Sequence, residues 1–217
     1  ALSRIDRSST TLTISDLFVI AEQLGCVWKL EKLCRNKALK AAVEKPENVK
    51  LFLNVDGNII QDKAFIQGFT NRKAMKAGVP ASDIVFEITE RSDIENYQIL
   101  QQIMKHYADQ GYEIALDDVG AGHLGLNRVV NTTPDYLKAD IELVRDIHKY
   151  KKKEIMMKLL LDYCNATGAI LIAEGIETVQ ELECLHSLGV HYGQGFFLGK
   201  PERAFGNISA ESEAILE

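Results

Sequence analysis

The 217-residue sequence has no apolar run approaching membrane-spanning length, so neither a spanning helix nor a secretory leader is expected and the expected location is the cytoplasm, with room for a membrane tether upstream. Its four cysteines, Cys26, Cys34, Cys164 and Cys184, include no C-x-x-C pair. A disulfide or zinc framework is therefore not expected, and they read as small apolar fillers in a reducing compartment. No Gly-x-Gly-x-x-Gly turn follows an early strand, which disfavours a dinucleotide fold. Basic residues are outnumbered, 25 to 31, for a net charge of −6. The dense basic run Lys149-Tyr-Lys-Lys-Lys153 reads as a solvated helix start, so duplex nucleic acid is not an expected partner. No Ser–His–Asp order is visible. The histidines His106, His123, His148, His186 and His191 form no metal-ligand pair; His106 and His186 read as helix-surface residues and His191 as a structural position at a strand start.

What is there is ordinary globular composition, 46% hydrophobic and 26% charged, enough for one sizeable core and, most simply, one domain over residues 1–217. The chain opens on Ala1-Leu2-Ser3-Arg4 without an initiator Met, and is expected to be part of something longer.

Hydrophobic spacing alternates along the chain. Helical spacing runs from Ile14 to Leu24 and stops at Gly25. A second helix is predicted from Trp28 to about Val43, and a third over 62–77 before Gly78 and Pro80. The pairs Ser92-x-x-Glu95 and Thr178-x-x-Glu181 read as capping boxes that open helices ended by Gly111 and Gly189. Further helices are predicted over 124–130 and 152–166, with a partly helical tail after Pro201. Between them lie short apolar strands at 50–55, 84–86, 113–117, 136–140, 169–173 and 191–197. Strands alternating with helices imply a parallel sheet, either open or closed into a (β/α) barrel.

Each strand delivers a polar or charged group at its C-terminal end: Asn54, Glu87, Asp117 with Asp118, Lys138, Glu174 and Gln194. In a barrel those ends converge on one face, where active sites sit, so an α/β TIM-like (β/α) barrel is the expected fold. Alone, Asp117-Asp118 before the glycine-rich loop reads equally as a solvated turn. Six such ends in succession favour a site. Adjacent carboxylates repel, so one must hold a proton or a cation must neutralise them; hard cations such as Mg²⁺ or Mn²⁺ suit oxygen ligands. Two such ions could bind phosphoryl oxygens and stabilise an in-line displacement. Lys138 among the acids could orient water or neutralise an oxyanion, which points to phosphoester hydrolysis.

In order along the chain, Ala1-Leu2-x-Arg4, Leu53-Asn54-Val55, Glu87-Ile-Thr-Glu90, Asp117-Asp118-Val-Gly-Ala-Gly, Leu137-Lys138-Ala-Asp140, Ala173-Glu174-Gly-Ile-Glu177-Thr178 and Gln194-Gly195 resemble the motifs of the EAL domains. That family hydrolyses cyclic di-GMP to linear pGpG. The resemblance covers almost the whole chain and implies a (β/α) barrel that here lacks its most N-terminal strand and the signature Glu before Ala1. It implies two Mg²⁺ or Mn²⁺ ions. Asn54, Glu87 and Asp117 would hold one; Asp117 would bridge to the second, completed by Asp118 and Glu174. Lys138 would contact the attacking water, with Glu174 as the alternative general base. Leu2, Arg4, Asp140 and Gln194 would bind substrate, Arg4 through a phosphate. Glu90 would tie down the loop after Asp118, and Glu177 would support the same rim.

The sequence departs from the family at Val119-Gly-Ala-Gly-His123-Leu124-Gly125, where the family reads Phe-Gly-Thr-Gly-Tyr-Ser-Ser, and at Asp56, where Ser is usual. That loop is associated in the family with dimer contact and with coupling to the metals. The partners implied are cyclic di-GMP, a second copy of the chain and a fused upstream sensor or GGDEF domain, with no membrane contact by this segment. A catalytically silent cyclic di-GMP receptor is the competing reading.

Overall fold

The structure is a computed structural model that describes all residues except 6–10, 58, 89–96, 121–128, 203–204, 207 and 217. The chain divides into two compact units, residues 1–113 and 114–217.

In the first unit, helix α1 (Ile14–Gln23) is opened by Thr13, whose hydroxyl accepts the Asp16 N–H while Asp16 Oδ2 accepts the Thr13 N–H at 2.7 Å. This reciprocal cap satisfies two of the amides a helix start leaves without partners. Helix α2 (Val27–Ala41) runs into a short 3₁₀ turn. Strand β1 (Leu51–Val55) pairs in parallel with β2 (Ile84–Ile88), Leu51 opposite Ile84 and Asn54 opposite Glu87. Helices α3 (Phe69–Ala77) and α4 (Tyr97–Ala108) complete the unit.

The helix expected over 62–77 begins only at Phe69. Asp62 turns its carboxylate to backbone amides instead, Oδ1 accepting from the nearby Ala64 at 2.8 Å and Oδ2 from the remote Trp28 at 3.3 Å. An acid that bonds nearby backbone competes with the helix ladder. Gly68 then sits at φ 68°, in the left-handed region. The core of the unit is aromatic: Trp28, Phe86 and Tyr107 are fully buried, and the Phe86 and Tyr107 rings lie 4.0 Å apart. Burying each such side chain contributes about 2 kcal/mol. His106, expected at the surface, is half-buried, its ring 5.1 Å from Tyr107 and 5.5 Å from Phe65. Burial, then the nearby Arg35 charge, lowers its pKa.

The second unit carries four parallel strands in sequence order, β3 (Glu113–Val119), β4 (Tyr136–Ala139), β5 (Ile170–Glu174) and β6 (Tyr192–Gln194). Between and after them lie α5 (Ile141–Val144), α6 (Lys151–Thr167), α7 (Val179–Ser187) and α8 (Ala210–Leu216). The α/β class with parallel strands is as expected. The capping box at Thr178 and Glu181 is formed. Strand β6 stops at Gln194 rather than 197, because the Phe197 N–H turns to the Ile176 carbonyl at 3.1 Å. The expected Ser92–Glu95 cap, most of the expected 124–130 helix, and Glu90 lie outside the described residues. All four cysteines are free thiols, and burial pushes Cys164 up to about 11. Among the described residues no helix is long and apolar enough to cross a membrane.

Candidate metal centre

The site in the second unit begins with an irregularity in β3. Leu116 pairs with Leu137 and Val119 with Ala139, so Asp117 and Asp118 together oppose the single residue Lys138. Successive side chains of a regular strand point to opposite faces. An extra residue bends the strand and re-aims its side chains, and Asp118 takes the left-handed conformation, φ 57°. Asp tolerates that conformation better than most residues, at about 1 kcal/mol. Two consecutive acids thereby serve one place. Oxygens of Asp117, Asp118 and Glu174 lie within 4.8 Å of one another.

Lys138 stands inside this group. Its Nζ is 2.8 Å from Asp117 Oδ1 and 2.6 Å from Glu174 Oε1, and its side chain is only 5% exposed. Gln194, the register partner of Glu174, donates from Nε2 to Glu174 Oε1 at 2.6 Å. Burial raises the Glu174 carboxyl and the Asp117 charge adds to it; the Lys138 ammonium offsets only part, leaving Glu174 pushed up to about 8. Three acids face one ammonium, and even with Glu174 holding a proton two acids remain against one base. All three offer oxygen alone, the donor set a hard divalent cation takes, so these residues fit such an ion.

Two glycines fix the ends of β5 and β6. A Cβ on Gly175, which sits at φ 72°, would fall 2.3 Å from Ile141 Cγ1, and one on Gly195 would fall 2.1 Å from the Ile176 carbonyl oxygen. Ile176 donates its N–H to the Gln194 carbonyl at 3.1 Å. The turns after Glu174 and Gln194 are thus interlocked, and neither leaves room for a side chain.

The remaining expected site residues divide. Asp140 is buried but stands apart from the acid cluster: its Oδ1 caps α5 through the Glu142 N–H at 2.7 Å, and its own N–H holds the Val119 carbonyl at 3.1 Å. Glu177 pairs with Arg145 Nη2 at 3.1 Å and is half-exposed. In the first unit, Asn54 and Glu87 are register partners at the strand ends, Glu87 buried and Asn54 exposed. Leu2 and Arg4 are exposed, with Arg4 Nη1 donating to the Ser3 carbonyl at 3.2 Å. Sequence reasoning missed the buried Glu31 and Arg35 on α2. Their i, i+4 spacing could have suggested a pair, but nothing in so charged a helix marks these two as interior.

Fold and site together define a class: an α/β protein with a cluster of carboxylates, able to hold a cation, at the C-terminal ends of parallel strands. Residues 1–201 match the model of the EAL domain, and the chain belongs to that family. It is 25% identical over 201 residues to the cyclic di-GMP phosphodiesterase PdeA of Borreliella burgdorferi, covering 91% of this chain and 30% of that protein. It is 28% identical over 160 residues to the cyclic di-GMP phosphodiesterase PdeR of Escherichia coli, covering 73% and 24%. The chain thus spans less than a third of the length of these curated relatives. Among solved structures, BlrP1 of Klebsiella pneumoniae in its manganese and cyclic di-GMP complex superposes with TM-score 0.81 at 27% identity, over 90% of this chain and 50% of that one. A standalone EAL protein from Vibrio cholerae, bound to cyclic di-GMP, gives 0.75 at 27% identity over 85% and 78%. The parallel α/β fold of the chain is that of EAL structures.

Proposed function

We propose that this chain is a single EAL-type domain that hydrolyses cyclic di-GMP to linear pGpG with two Mg²⁺ or Mn²⁺ ions. The observation that carries the proposal is the crowding of Asp117, Asp118 and Glu174 around Lys138, an acid excess that a divalent cation would neutralise. Asp117, Asp118 and Glu174 would hold one ion; by the resemblance to the family, Asn54 and Glu87 would be ligands to the other. Bound there, the ions would supply Lewis-acid stabilisation of phosphoryl oxygen and a nucleophilic hydroxide at neutral pH.

The side chains do the rest. Lys138, fixed between two carboxylates, orients the attacking water through its ammonium. Glu174, whose carboxyl burial pushes up to about 8, is the alternative general base. Gln194 holds Glu174 in place and lines the substrate site with Leu2 and Asp140, while the Arg4 guanidinium suits a phosphate of the dinucleotide. By the resemblance to the family, Glu90 would tie down the loop after Asp118 and Glu177 would support the rim. A cytoplasmic location, and assembly as a homodimer with a fused sensor or GGDEF domain, are part of the same proposal. Two relatives whose names are those of cyclic di-GMP phosphodiesterases, at 25% and 28% identity, support this reading.

The test is a turnover assay with labelled cyclic di-GMP, Mg²⁺ or Mn²⁺, and identification of the product. Linear pGpG that disappears on chelation is the expected result. Turnover undiminished after exhaustive chelation overturns the metal assignment, and tight binding without turnover assigns a receptor instead.

A further inference from the structure

The first unit contains a buried ion pair that the proposed reaction does not use. Glu31 and Arg35, one turn apart on α2, are each about 2% exposed and bonded to one another through Oε2 and Nη2. The guanidinium lies against three rings, 5.1 Å from Phe86, 5.3 Å from Trp28 and 5.7 Å from Tyr107. Its Nη1 donates to Tyr107 Oη at 3.1 Å and Thr70 Oγ1 at 3.3 Å, on α4 and α3. The second oxygen of Glu31, Oε1, accepts the backbone N–H of Asp56 at 2.5 Å.

Stability alone is a weak reason for such a pair, because well-packed apolar side chains of similar volume are often as stable. What the pair touches suggests another. Asp56 is the second residue beyond Asn54, and Phe86 immediately precedes Glu87. Asn54 and Glu87 are themselves register partners. One cluster anchored on three helices therefore grips both strands beside the two residues proposed as metal ligands. Ligating side chains need support of this kind, since small displacements of a ligand weaken the bound ion.

We propose that Glu31 and Arg35 are positioning residues that hold the ends of β1 and β2, and with them Asn54 and Glu87, in the geometry that binds metal. The inference rests on the reading of Asn54 and Glu87 as ligands. It assigns the critical contact to Glu31 Oε1 and the Asp56 N–H.

Two double variants separate positioning from stability. Glu31→Gln with Arg35→Met removes both charges but keeps an oxygen for the Asp56 N–H; Glu31→Leu with Arg35→Met removes that acceptor too. Mn²⁺ binding to the full chain is titrated by electron paramagnetic resonance beside the melting temperature, with Asn54→Ala as reference. The expected result is a Mn²⁺ dissociation constant within about twofold of the parent for the Gln–Met variant. It should rise about tenfold for the Leu–Met variant, the scale of losing a supporting partner of a ligand, without a matching loss of melting temperature. Equal affinity for the two double variants, while Asn54→Ala weakens binding, overturns the positioning role. If Asn54→Ala itself leaves binding unchanged, the ligand assignment fails and the inference with it. Should the Leu–Met variant not fold, Tyr107→Phe, which removes the Arg35 hydrogen bond to α4 and leaves every ring in place, decides. Severalfold weaker Mn²⁺ binding at an unchanged melting temperature supports the role, and unchanged binding overturns it.

Discussion

The two units handle buried charge in opposite ways. In the first, one acid meets one base: both oxygens of Glu31 are used, and Arg35 is walled by aromatic rings. In the second, three acids share one ammonium, and the carboxyl of Glu174 is held up to about 8. The first cluster is balanced and needs nothing from outside the protein. The second has more acids than bases, an imbalance that a divalent cation would offset. Burial of charge is therefore not the mark of a reactive centre. An imbalance of buried charge is what would draw a cation, because a balanced pair shifts its groups without leaving them anything to bind.

Two substitutions at the unbalanced centre should have the largest effects. Asp117→Asn removes one of the crowded acids. Turnover of cyclic di-GMP should fall to background, while the metal-free protein melts at the same temperature or higher because repulsion is relieved. A turnover assay and a calorimetric scan on one preparation check both halves, and a variant that keeps most of its rate breaks the contrast. Lys138→Met leaves three acids with no ammonium at 2.6–2.8 Å. Its rate should fall by about 10²–10⁴, the usual worth of a positioned proton-handling group. Its melting temperature should depend more steeply on added Mn²⁺ than that of the parent.

The balanced cluster should answer in the reverse sense. Arg35→Met strands the buried Glu31 carboxylate and should cost about 3–5 kcal/mol of stability, read by chemical denaturation. Loss of a charge is thus tolerated where charge is in excess and damaging where it is matched. A loss below about 1 kcal/mol would mean that the first cluster is not the closed pair its hydrogen bonds describe.

How much of this was legible in the sequence follows from the range of each interaction. The strands, most helices and the Thr178–Glu181 cap were readable because periodicity and capping act over a few residues. The acids at strand ends were readable because each directly follows an apolar run. The bulge at Asp117 and Asp118 was not: consecutive residues in a strand should diverge, and only pairing against the single Lys138 shows that they converge. The start of α3 was misread because Asp62 bonds Trp28, 34 residues away, a contact that no local pattern contains. The burial of Glu31 and Arg35 was hidden for the same reason, their partners Asp56, Thr70 and Tyr107 being remote in sequence.

Glu181 offers the smallest and sharpest test of the comparison, since it is a buried acid balanced without any cation. Its Oε1 accepts the Asp146 N–H at 2.9 Å, and its Oε2 accepts the N–H groups of Glu177 at 2.9 Å and Thr178 at 3.0 Å. Burial pushes its carboxyl up, but the amides of Asp146, Glu177 and Thr178, with the Thr178 hydroxyl, outweigh that and hold it below 4.5. A carboxyl depressed in the folded state contributes stability in full above its unfolded value and loses it as pH falls through the folded one. Glu181→Gln keeps one oxygen and turns an NH₂ toward an amide donor. It should cost about 2 kcal/mol at pH 7, the worth of hydrogen bonds to a charged acceptor. The gap between parent and variant should close as pH falls from about 5 to 3, because the parent then loses the same charge. Denaturation curves of both proteins at several pH values measure this directly, and the difference cancels the other acids that titrate in both. A gap that stays constant down to pH 3 would mean that the amides bind the shape of the side chain rather than its charge, and that balance at this position owes nothing to ionisation.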